Sequence, residues 1–307
     1  YSALANVYAY YAEYYNSDSA LFYANKAKSI FDKIKVSDKY KEWFIGDANS
    51  HYILQMQEIN ASIFHAAGNY PKSLEIRLEN LHLAEKSAHM GIQFEAYRSM
   101  ANLYSSMKEY KAMLDYGFKM YSLLTKIDKS NTWFLYYHYI ANYTIASAYF
   151  KLNASSNALA YAQGLKKLVM NINADLYESR SNLLLADIYL QLKDKEAAMK
   201  FYNDILRDAP ETVKHFRALA WLGKAKIFKY NNQIDSALFY TRQSYSFFNS
   251  NNIDALISGG WGENSNYYKS EISPLLAELF YTSGMPDSAY KYLQFYVSAR
   301  DTFFNNE

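Results

Sequence analysis

The chain has 307 residues, half of them apolar, and its 32 basic and 30 acidic side chains give a formal net charge of +2. This balance neither demands nor excludes a polyanionic partner, and the interleaving of the two signs is typical of solvated helix faces rather than of a nucleic-acid patch. Cysteine is absent, which excludes disulfides, thiolate zinc sites and a cysteine nucleophile but leaves the redox compartment open.

Targeting and membrane segments are not apparent, since no apolar run is long enough to span a bilayer. The chain begins at Tyr1 within a helical pattern and without a methionine. We therefore expect it to be an excised or processed portion of a longer protein.

An internal repeat runs through the whole chain. The hexapeptide Asp-Ser-Ala-Leu-Phe-Tyr occurs at residues 18–23 and again at residues 235–240. In both places the alanine of the hexapeptide stands nine positions after an aromatic residue. Elsewhere in the chain the later position holds a small or flexible residue. That spacing occurs seven times, at Tyr11/Ala20, Phe64/Ser73, Tyr104/Met113, Tyr149/Ala158, Tyr189/Ala198, Phe228/Ala237 and Phe280/Ala289. Six of the seven copies carry alanine three positions before the aromatic: Ala61, Ala101, Ala146, Ala186, Ala225 and Ala277.

Each copy predicts an antiparallel pair of helices. Alanine and the aromatic at i and i+3 lie on one face of a first helix, and the small residue lets the second helix return close to it. Between the aromatic and the small residue, Gly and Asn predict a left-handed stop of the first helix. These stops fall in residues 68–71, 151–153, 231–233 and 283–286. Asp18, Asp235 and Asp287 are predicted to be the N-caps of second helices. Such a pair cannot bury its apolar face alone, so neighbouring pairs must stack.

The pattern resembles the tetratricopeptide repeat (TPR) family. The match is carried by Ala61, Phe64, Gly68 and Tyr70 in the second copy, by Ala186, Tyr189, Ala198, Tyr202 and Pro210 in the fifth, and by Ala27 in the first. The resemblance implies an all-α, right-handed superhelical solenoid of about seven antiparallel helix pairs. It implies one domain over residues 1–307, with repeats near 1–35, 50–89, 95–127, 133–170, 176–208, 212–249 and 270–305.

The repeats are longer than the roughly 34 residues of that family. Successive aromatics are between 39 residues (Tyr189 to Phe228) and 53 residues (Tyr11 to Phe64) apart. Longer helices or loops must absorb the excess, and residues 36–48 and 249–270 are predicted to be elaborations of this kind.

Tyrosine is the compositional outlier, with 33 residues beside 18 phenylalanines. One interpretation is that the rings fill seams between helices while their hydroxyls reach solvent or a backbone carbonyl. The other is that surplus rings, such as the run Tyr136-Tyr137-His138-Tyr139, bind peptide or sugar. Periodicity alone leaves both interpretations open.

Signatures of catalysis, metal binding and cofactor binding are missing. The six histidines include no pair at the i, i+4 spacing of a helical zinc site. Residues 258–262 hold three glycines, but without the lysine or the preceding strand that a phosphate-binding loop requires. We therefore expect a non-catalytic protein without a cofactor or metal, in which Trp261 packs into a long loop.

A binding groove is what the TPR resemblance implies instead. In that family the first helices line a concave groove, and some members hold a partner's terminal carboxylate with basic and amide side chains from successive repeats. The corresponding positions here are Arg98, Asn102, Thr144 and Arg180, while Leu184 departs from the pattern; Tyr143 is added as a further groove residue. Arginine can hold a carboxylate through two hydrogen bonds, so these residues are the predicted ligand-binding set for a protein or peptide.

The C-terminal segment has a second resemblance. Residues 287–293 and 299–305 are similar to the closing repeat of TPR sensor regions in membrane-anchored Bacteroidetes signalling and transcription regulators. This implies a sensor or interaction region on the periplasmic side of a membrane-anchored bacterial protein, with self-association, without a membrane span in this segment and without direct nucleic-acid contact. The alternatives are a free-standing adaptor or co-chaperone-like scaffold, which would be cytoplasmic, and a nutrient-capturing surface lipoprotein.

Overall fold

The computed structural model describes residues 47–66, 68–87, 89–131, 133–169, 174–250 and 265–304, together with six single positions between residues 19 and 29. In these ranges every regular element is a helix and no strand occurs, which confirms the predicted all-α class. The chain divides into two compact units between Ala141 and Asn142, and each is described by itself. The single domain over residues 1–307 and its repeat limits stay predictions.

Consecutive helices are joined by short turns. The first unit contains α1 (Asp47–Ala66), α2 (Tyr70–Lys86), α3 (Met90–Ser106) and α4 (Tyr110–Leu123), and the unit boundary falls within α5 (Phe134–Lys151). The second contains α6 (Ser155–Ala162), α7 (Leu165–Val169), α8 (Ala174–Gln191), α9 (Lys195–Asp208), a 3-10 turn (Glu211–Val213), α10 (His215–Tyr230), α11 (Ile234–Asn249), α12 (Ser265–Thr282) and α13 (Pro286–Phe304).

The turn inside each described helix pair has one backbone conformation. The residue four positions after the repeat aromatic has a positive φ, between 59° and 79°, at Gly68, Lys108, Asn153, Lys193, Asn232 and Gly284. The amide of the residue after it donates to the carbonyl of the repeat aromatic at 2.8 or 2.9 Å. The amide of the left-handed residue itself donates to the carbonyl of the residue directly after the aromatic, at 2.9 to 3.1 Å. This double closure is the Schellman motif. It ends the first helix and starts the second at a fixed distance from the aromatic.

The predicted helix stops are therefore confirmed at Gly68, Asn153, Asn232 and Gly284. The sequence did not indicate the other two, because Lys108 and Lys193 rarely adopt this conformation. The turn is imposed there by the helices that it joins.

The predicted N-caps are wrong where the structure describes them. The second helices α11 and α13 begin at Ile234 and Pro286, so Asp235 and Asp287 are second helical residues. The Schellman turn decides this, because it places the N-cap five positions after the aromatic. A carboxylate in the first turn still interacts favourably with the helix dipole. Asp18 lies outside the described residues.

Two second helices do carry a capping side chain at that fixed position. Asn69 accepts a hydrogen bond from the amide of Lys72 at 3.1 Å, and Asp194 accepts one from Ala197 at 3.0 Å. These interactions satisfy amides that a helix start otherwise leaves unpaired.

The small residues of the repeat lie in the seam between paired helices. All six predicted alanines are buried, as are the six described residues nine positions after the aromatics. Ser73, the polar member of the second set, donates to the carbonyl of Ala61 at 2.8 Å, so its hydroxyl is satisfied inside the seam. The predicted pairing of antiparallel helices is thereby confirmed for the six described copies. The first copy, Tyr11/Ala20, lies outside the described residues.

A stacked pair of rings closes most of these helix pairs. The repeat aromatic lies against another aromatic twelve positions later, with ring centroids 5.3 to 6.0 Å apart and interplanar angles of 2° to 26°. The stacks are Tyr104–Tyr116, Tyr149–Tyr161, Tyr189–Phe201, Phe228–Tyr240 and Phe280–Tyr292. In the second copy Ile76 stands where Phe64 would find its ring. Packing therefore accounts for four tyrosines beyond the repeat positions, Tyr116, Tyr161, Tyr240 and Tyr292, at a spacing of twelve that was not predicted.

In the second unit, the core depends on a close approach at Gly223. The ring of Tyr202 is fully buried against this glycine, and its hydroxyl donates to Asp187 Oδ1 at 2.5 Å. Burial raises the pKa of Asp187 against the lowering effects of Lys226 and of this hydrogen bond. A Cβ atom at position 223 would overlap the ring of Tyr202.

We therefore expect Gly223→Ala to lower the free energy of unfolding by about 2 kcal/mol, because a packed ring must move. Chemical denaturation followed by circular dichroism measures this. Gly164→Ala is the matched control, since its Cβ would meet only the Tyr161 carbonyl oxygen, at 3.7 Å. Equal effects of the two substitutions would contradict the account of this contact.

Candidate ligand-binding site

The predicted ligand-binding residues lie in both units. Arg98 and Asn102 are on α3 in the first unit, whereas Tyr143 and Thr144 on α5 and Arg180 on α8 belong to the second. Within the second unit, the structure places the guanidinium of Arg180 over the ring of Tyr143, 5.2 Å from its centroid. A clamp formed by all five residues stays a prediction.

Arg98 is paired within its own helix. Its Nε donates to Glu95 Oε2 at 2.6 Å, and both side chains remain partly exposed, at 27% and 39%. Burial acts to lower the pKa of Arg98, but the charge and hydrogen bond of Glu95, together with Tyr136 and Glu58, outweigh it, so the net pKa is raised. A carboxylate bound at Arg98 must therefore compete with Glu95. Helical spacing of three residues places the pair together, and the sequence analysis did not consider it.

Near this pair, an ionic cluster of the buried Arg77 and the partly exposed Glu58 joins three helices. Arg77 on α2 is buried and donates to Glu58 Oε1 on α1 at 2.9 Å, while Ser99 on α3 donates to Glu58 Oε2 at 2.6 Å. Burial acts to raise the pKa of Glu58, but the charge and hydrogen bond of Arg77 and the bond from Ser99 lower it below its usual value. The carboxylate therefore stays ionised and fixes α3 against the first helix pair.

His65 extends the cluster in a defined tautomer. Arg77 Nη1 lies 3.2 Å from His65 Nδ1, and His65 Nε2 lies 2.8 Å from Ser106 Oγ. Since arginine can only donate, Nδ1 must accept and Nε2 carries the proton. Burial, and then the charge of Arg77, lowers the pKa of His65 to about 3. The imidazole is therefore neutral at physiological pH.

A run of aromatic rings leads from this region to the surface of the first unit. Phe94 and Tyr137 have centroids 4.4 Å apart, Tyr137 and Tyr136 5.6 Å, and Tyr136 and Trp133 5.8 Å. Trp133 is 60% exposed. Most large aromatic side chains are largely buried, so an accessible indole beside packed rings suits a ligand contact.

The aromatic run is coupled electrostatically to the ion pair through Tyr136 and Tyr137. Burial and then Glu95 raise the pKa of Tyr137, against an opposing effect of Arg98, and Tyr136 contributes to the raised pKa of Arg98. These couplings place both tyrosines close to the pair. We call Glu95, Arg98, Tyr136 and Trp133 the Arg98–Trp133 surface.

The aromatic side of this surface was only partly predicted. The run beginning at Tyr136 was an open alternative in the sequence, but nothing marked Trp133, three positions earlier. Its backbone is fixed at the start of α5, where its amide donates to Asn131 Oδ1 at 2.8 Å and its carbonyl accepts from Tyr137 at 2.9 Å.

The predicted residues of the second unit are less accessible. Thr144, Arg180 and the departing Leu184 are all buried. Burial, and then the charge of Arg180, lowers the pKa of His215 to about 4. The buried guanidinium thus lies over the Tyr143 ring and close enough to His215 to lower its pKa, which favours a packing role.

The described residues show neither a metal-binding group nor a membrane-spanning helix. In the ranges that the structure covers, no three His, Asp or Glu side chains are grouped in a way that could hold a metal ion. Nor does any helix in those ranges have the length and apolarity to cross a membrane.

Comparison with known proteins identifies the fold. No protein-family model matches the chain, and no curated protein sequence matches it. Among solved structures, the apo form of the quorum sensor NprR from B. thuringiensis is similar over 93% of this chain and 78% of that chain, with a TM-score of 0.59 and 16% sequence identity. At this identity the similarity shows the fold alone, and it supports the predicted TPR-like helical repeat.

The buried histidine predicts a pH-dependent stability. His65 has a folded pKa of about 3 against the usual 6.5, so the unfolded chain binds a proton that the folded chain does not. Stability is therefore lost as the pH falls from 6.5 towards 3, at about 1.4 kcal/mol per pH unit.

We expect His65→Gln to lower by about one the number of protons that the chain takes up on unfolding, and so to reduce this loss of stability. An amide can accept from Arg77 and donate to Ser106 without titrating. Urea unfolding of the wild type and the variant at about pH 7 and about pH 5.5 measures it. The exposed His82→Gln variant is the control. Identical pH dependence in all three proteins would contradict the proposed environment of His65.

Proposed function

We propose that this chain is the sensing region of a bacterial regulatory protein and that it binds a short peptide at the Arg98–Trp133 surface. The observation that carries the proposal is the exposed indole of Trp133, which packs on Tyr136, together with the partly exposed ion pair to which Tyr136 is coupled. Similarity in fold to a quorum sensor, a protein that detects a signalling molecule, supports a sensing role.

The chemistry of the surface suits a peptide. Arg98 can bind a carboxylate and Glu95 can bind an ammonium group, so the pair can exchange its internal bond for a ligand's charges. Trp133 and Tyr136 offer apolar faces with polar edges to a neighbouring side chain. Aromatic and arginine residues of this kind dominate the energetics of many protein interfaces.

The scaffold also favours binding, because it fixes the surface in advance. Glu58 joins α1, α2 and α3 through Arg77 and Ser99, so α3 presents Arg98 from a rigid support. A site held in place loses less conformational entropy when a ligand binds.

The regulatory consequence remains part of the proposal. A peptide that binds one geometry of the stacked helices better than another shifts the population towards that geometry. This change in helix geometry would be transmitted to other parts of the regulator. A periplasmic location in a membrane-anchored protein stays a prediction, with a cytoplasmic location as its alternative.

The test uses a synthetic library of short peptides with free termini, selected on the purified chain. We expect enriched peptides that combine an apolar side chain with a charged group. Their affinity should fall at least about tenfold in Trp133→Ala and in Arg98→Ala, the loss expected for a residue central to an interface. Titration calorimetry measures the affinity, and circular dichroism checks that the variants fold.

Tyr230→Ala is the control, because this tyrosine is also exposed but lies in the second unit. Its affinity for the same peptides should equal that of the wild type. A library that yields no binder, or binders that Trp133→Ala and Arg98→Ala retain at full affinity, would overturn the proposal.

A further inference from the structure

A half-buried carboxylate in the second unit has no ionic partner among the described residues. Asp187 on α8 accepts a hydrogen bond from the hydroxyl of Tyr202 at Oδ1, at 2.5 Å. Within the described ranges no hydrogen bond reaches Oδ2, and no lysine or arginine forms an ion pair with this carboxylate. One oxygen is therefore fixed from inside the protein, and the other is available as an acceptor.

The first unit shows what an ionic partner would change. At Glu58 burial acts to raise the pKa, but Arg77 leads the interactions that lower it below its usual value. At Asp187 burial prevails over the opposing effects of Lys226 and Lys151, and the pKa is raised. A cation in direct contact would favour the ionised form, as Arg77 does at Glu58. The two lysines therefore lie near Asp187 without neutralising it.

These lysines come from the helix pairs on either side of Asp187. Lys151 is the last residue of α5, in the pair before, and Lys226 is on α10, in the pair after. Both are exposed, and neither forms an ion pair with a described residue. Three first helices thus present a hydrogen-bond donor, an acceptor and a donor, with alternating charge.

An exposed tyrosine belongs to the same side of the helices. Tyr230 is 68% exposed and stands one turn after Lys226, so the two lie on one side of α10. Asp187 and Lys226 each stand two positions before the repeat aromatic, and Lys151 and Tyr230 each stand two positions after it. The four residues therefore occupy two rows of the repeat, and we call them the Asp187–Tyr230 surface.

The ring of Tyr230 is held in place and bordered by polar side chains. The ammonium of Lys195 lies 4.3 Å from the ring centroid and also donates to Asn231 Oδ1 at 2.8 Å. On the other side of Tyr230 in the sequence, Lys229 pairs with Glu278. The surface thus offers a flat apolar ring, fixed by a cation, among groups that donate and accept hydrogen bonds.

The alternating charges disfavour a charged ligand. A cation that approaches Asp187 also approaches two lysines, and an anion held by a lysine approaches the carboxylate. A neutral ligand rich in hydroxyl groups avoids both repulsions, because a hydroxyl can donate to Asp187 and accept from a lysine. Peptides gain most of their affinity from apolar side chains in well-packed pockets, which suits this polar surface less well.

We propose that the Asp187–Tyr230 surface binds a neutral saccharide, at a site separate from the Arg98–Trp133 surface of the first unit. The apolar face of a sugar ring stacks on Tyr230, which supplies a large contact area at a small cost in conformational entropy. Hydroxyls of the sugar donate to Asp187 and accept from Lys226 and Lys151. The open acceptor at Asp187 is thereby satisfied without a charged partner.

Titration calorimetry of the purified chain with maltotriose, cellotriose, mannotriose and chitotriose tests this proposal. We expect one or more of these sugars to bind with a dissociation constant below about 1 mM. Tyr230→Ala and Asp187→Asn should each weaken that binding at least about tenfold. Asparagine still accepts from Tyr202 and removes a half-buried charge, so Asp187→Asn should fold, and circular dichroism checks this.

Tyr290→Ala is the matched control, since this tyrosine of the second unit is 64% exposed and lies on α13. It should bind the sugar as the wild type does, and so should Trp133→Ala. No heat of binding from any of the four sugars at about 10 mM, or a bound sugar that Tyr230→Ala or Asp187→Asn retains at full affinity, would overturn the proposal.

A peptide at the same surface gives a different result. Peptides selected on the purified chain should bind Asp187→Asn as tightly as the wild type, because they bind at the Arg98–Trp133 surface. Selected peptides that lose affinity in Asp187→Asn and Tyr230→Ala, with no sugar bound, would assign the Asp187–Tyr230 surface to a peptide and overturn the proposal.

Discussion

The left-handed residue four positions after each repeat aromatic is the constraint on which the rest of the described structure depends. Two backbone hydrogen bonds close around it, so the second helix must begin at a fixed distance from the end of the first. That distance brings a small residue into the seam and sets a second ring against the aromatic. Lys108 and Lys193 adopt this conformation against the usual preference of lysine, which indicates that packing of the two helices outweighs the local backbone cost.

The sequence predicted the features that the repeat shares, because shared features are periodic. The buried alanines and the four helix stops at Gly or Asn could all be predicted from spacing alone. The N-caps were misassigned because Asp235 and Asp287 have the residue type of a cap, while the turn decides where the cap lies. The ring twelve positions later was missed because it is aromatic in most copies but Ile76 in the second.

The candidate site was less predictable for a physical reason. The candidate binding residues stand where the copies differ, so no periodic signal marks them. Glu95 and Arg98 could be paired from helical spacing, but the exposure of Trp133 depends on how α5 begins, and the Glu58–Arg77 contact depends on how α1 and α2 pack. The position of Arg180 was predicted as a ligand contact, yet its burial against Tyr143 follows from tertiary packing that the sequence does not display.

On the first helix α3, the packed residues and the proposed binding residues differ in exposure. On α3, Ala101 and Leu103 are buried in the seam, whereas Glu95 and Arg98 remain partly exposed. The Glu58–Arg77 pair holds the helix in place through Ser99, and loss of Glu58 would leave the buried Arg77 uncompensated. A rigid face with an adaptable ion pair and an exposed indole is an arrangement suited to selective binding of a small, charged and partly apolar ligand.

Hydrogen exchange of the chain, measured segment by segment with and without a saturating library-selected peptide, tests this account most directly. Ligand binding at the Arg98–Trp133 surface should slow exchange in α3 and in the first turns of α5. The largest change should fall within residues 90–106 and 133–141. Slowed exchange confined to the second unit, or an exchange pattern that the bound peptide leaves unchanged, would contradict it.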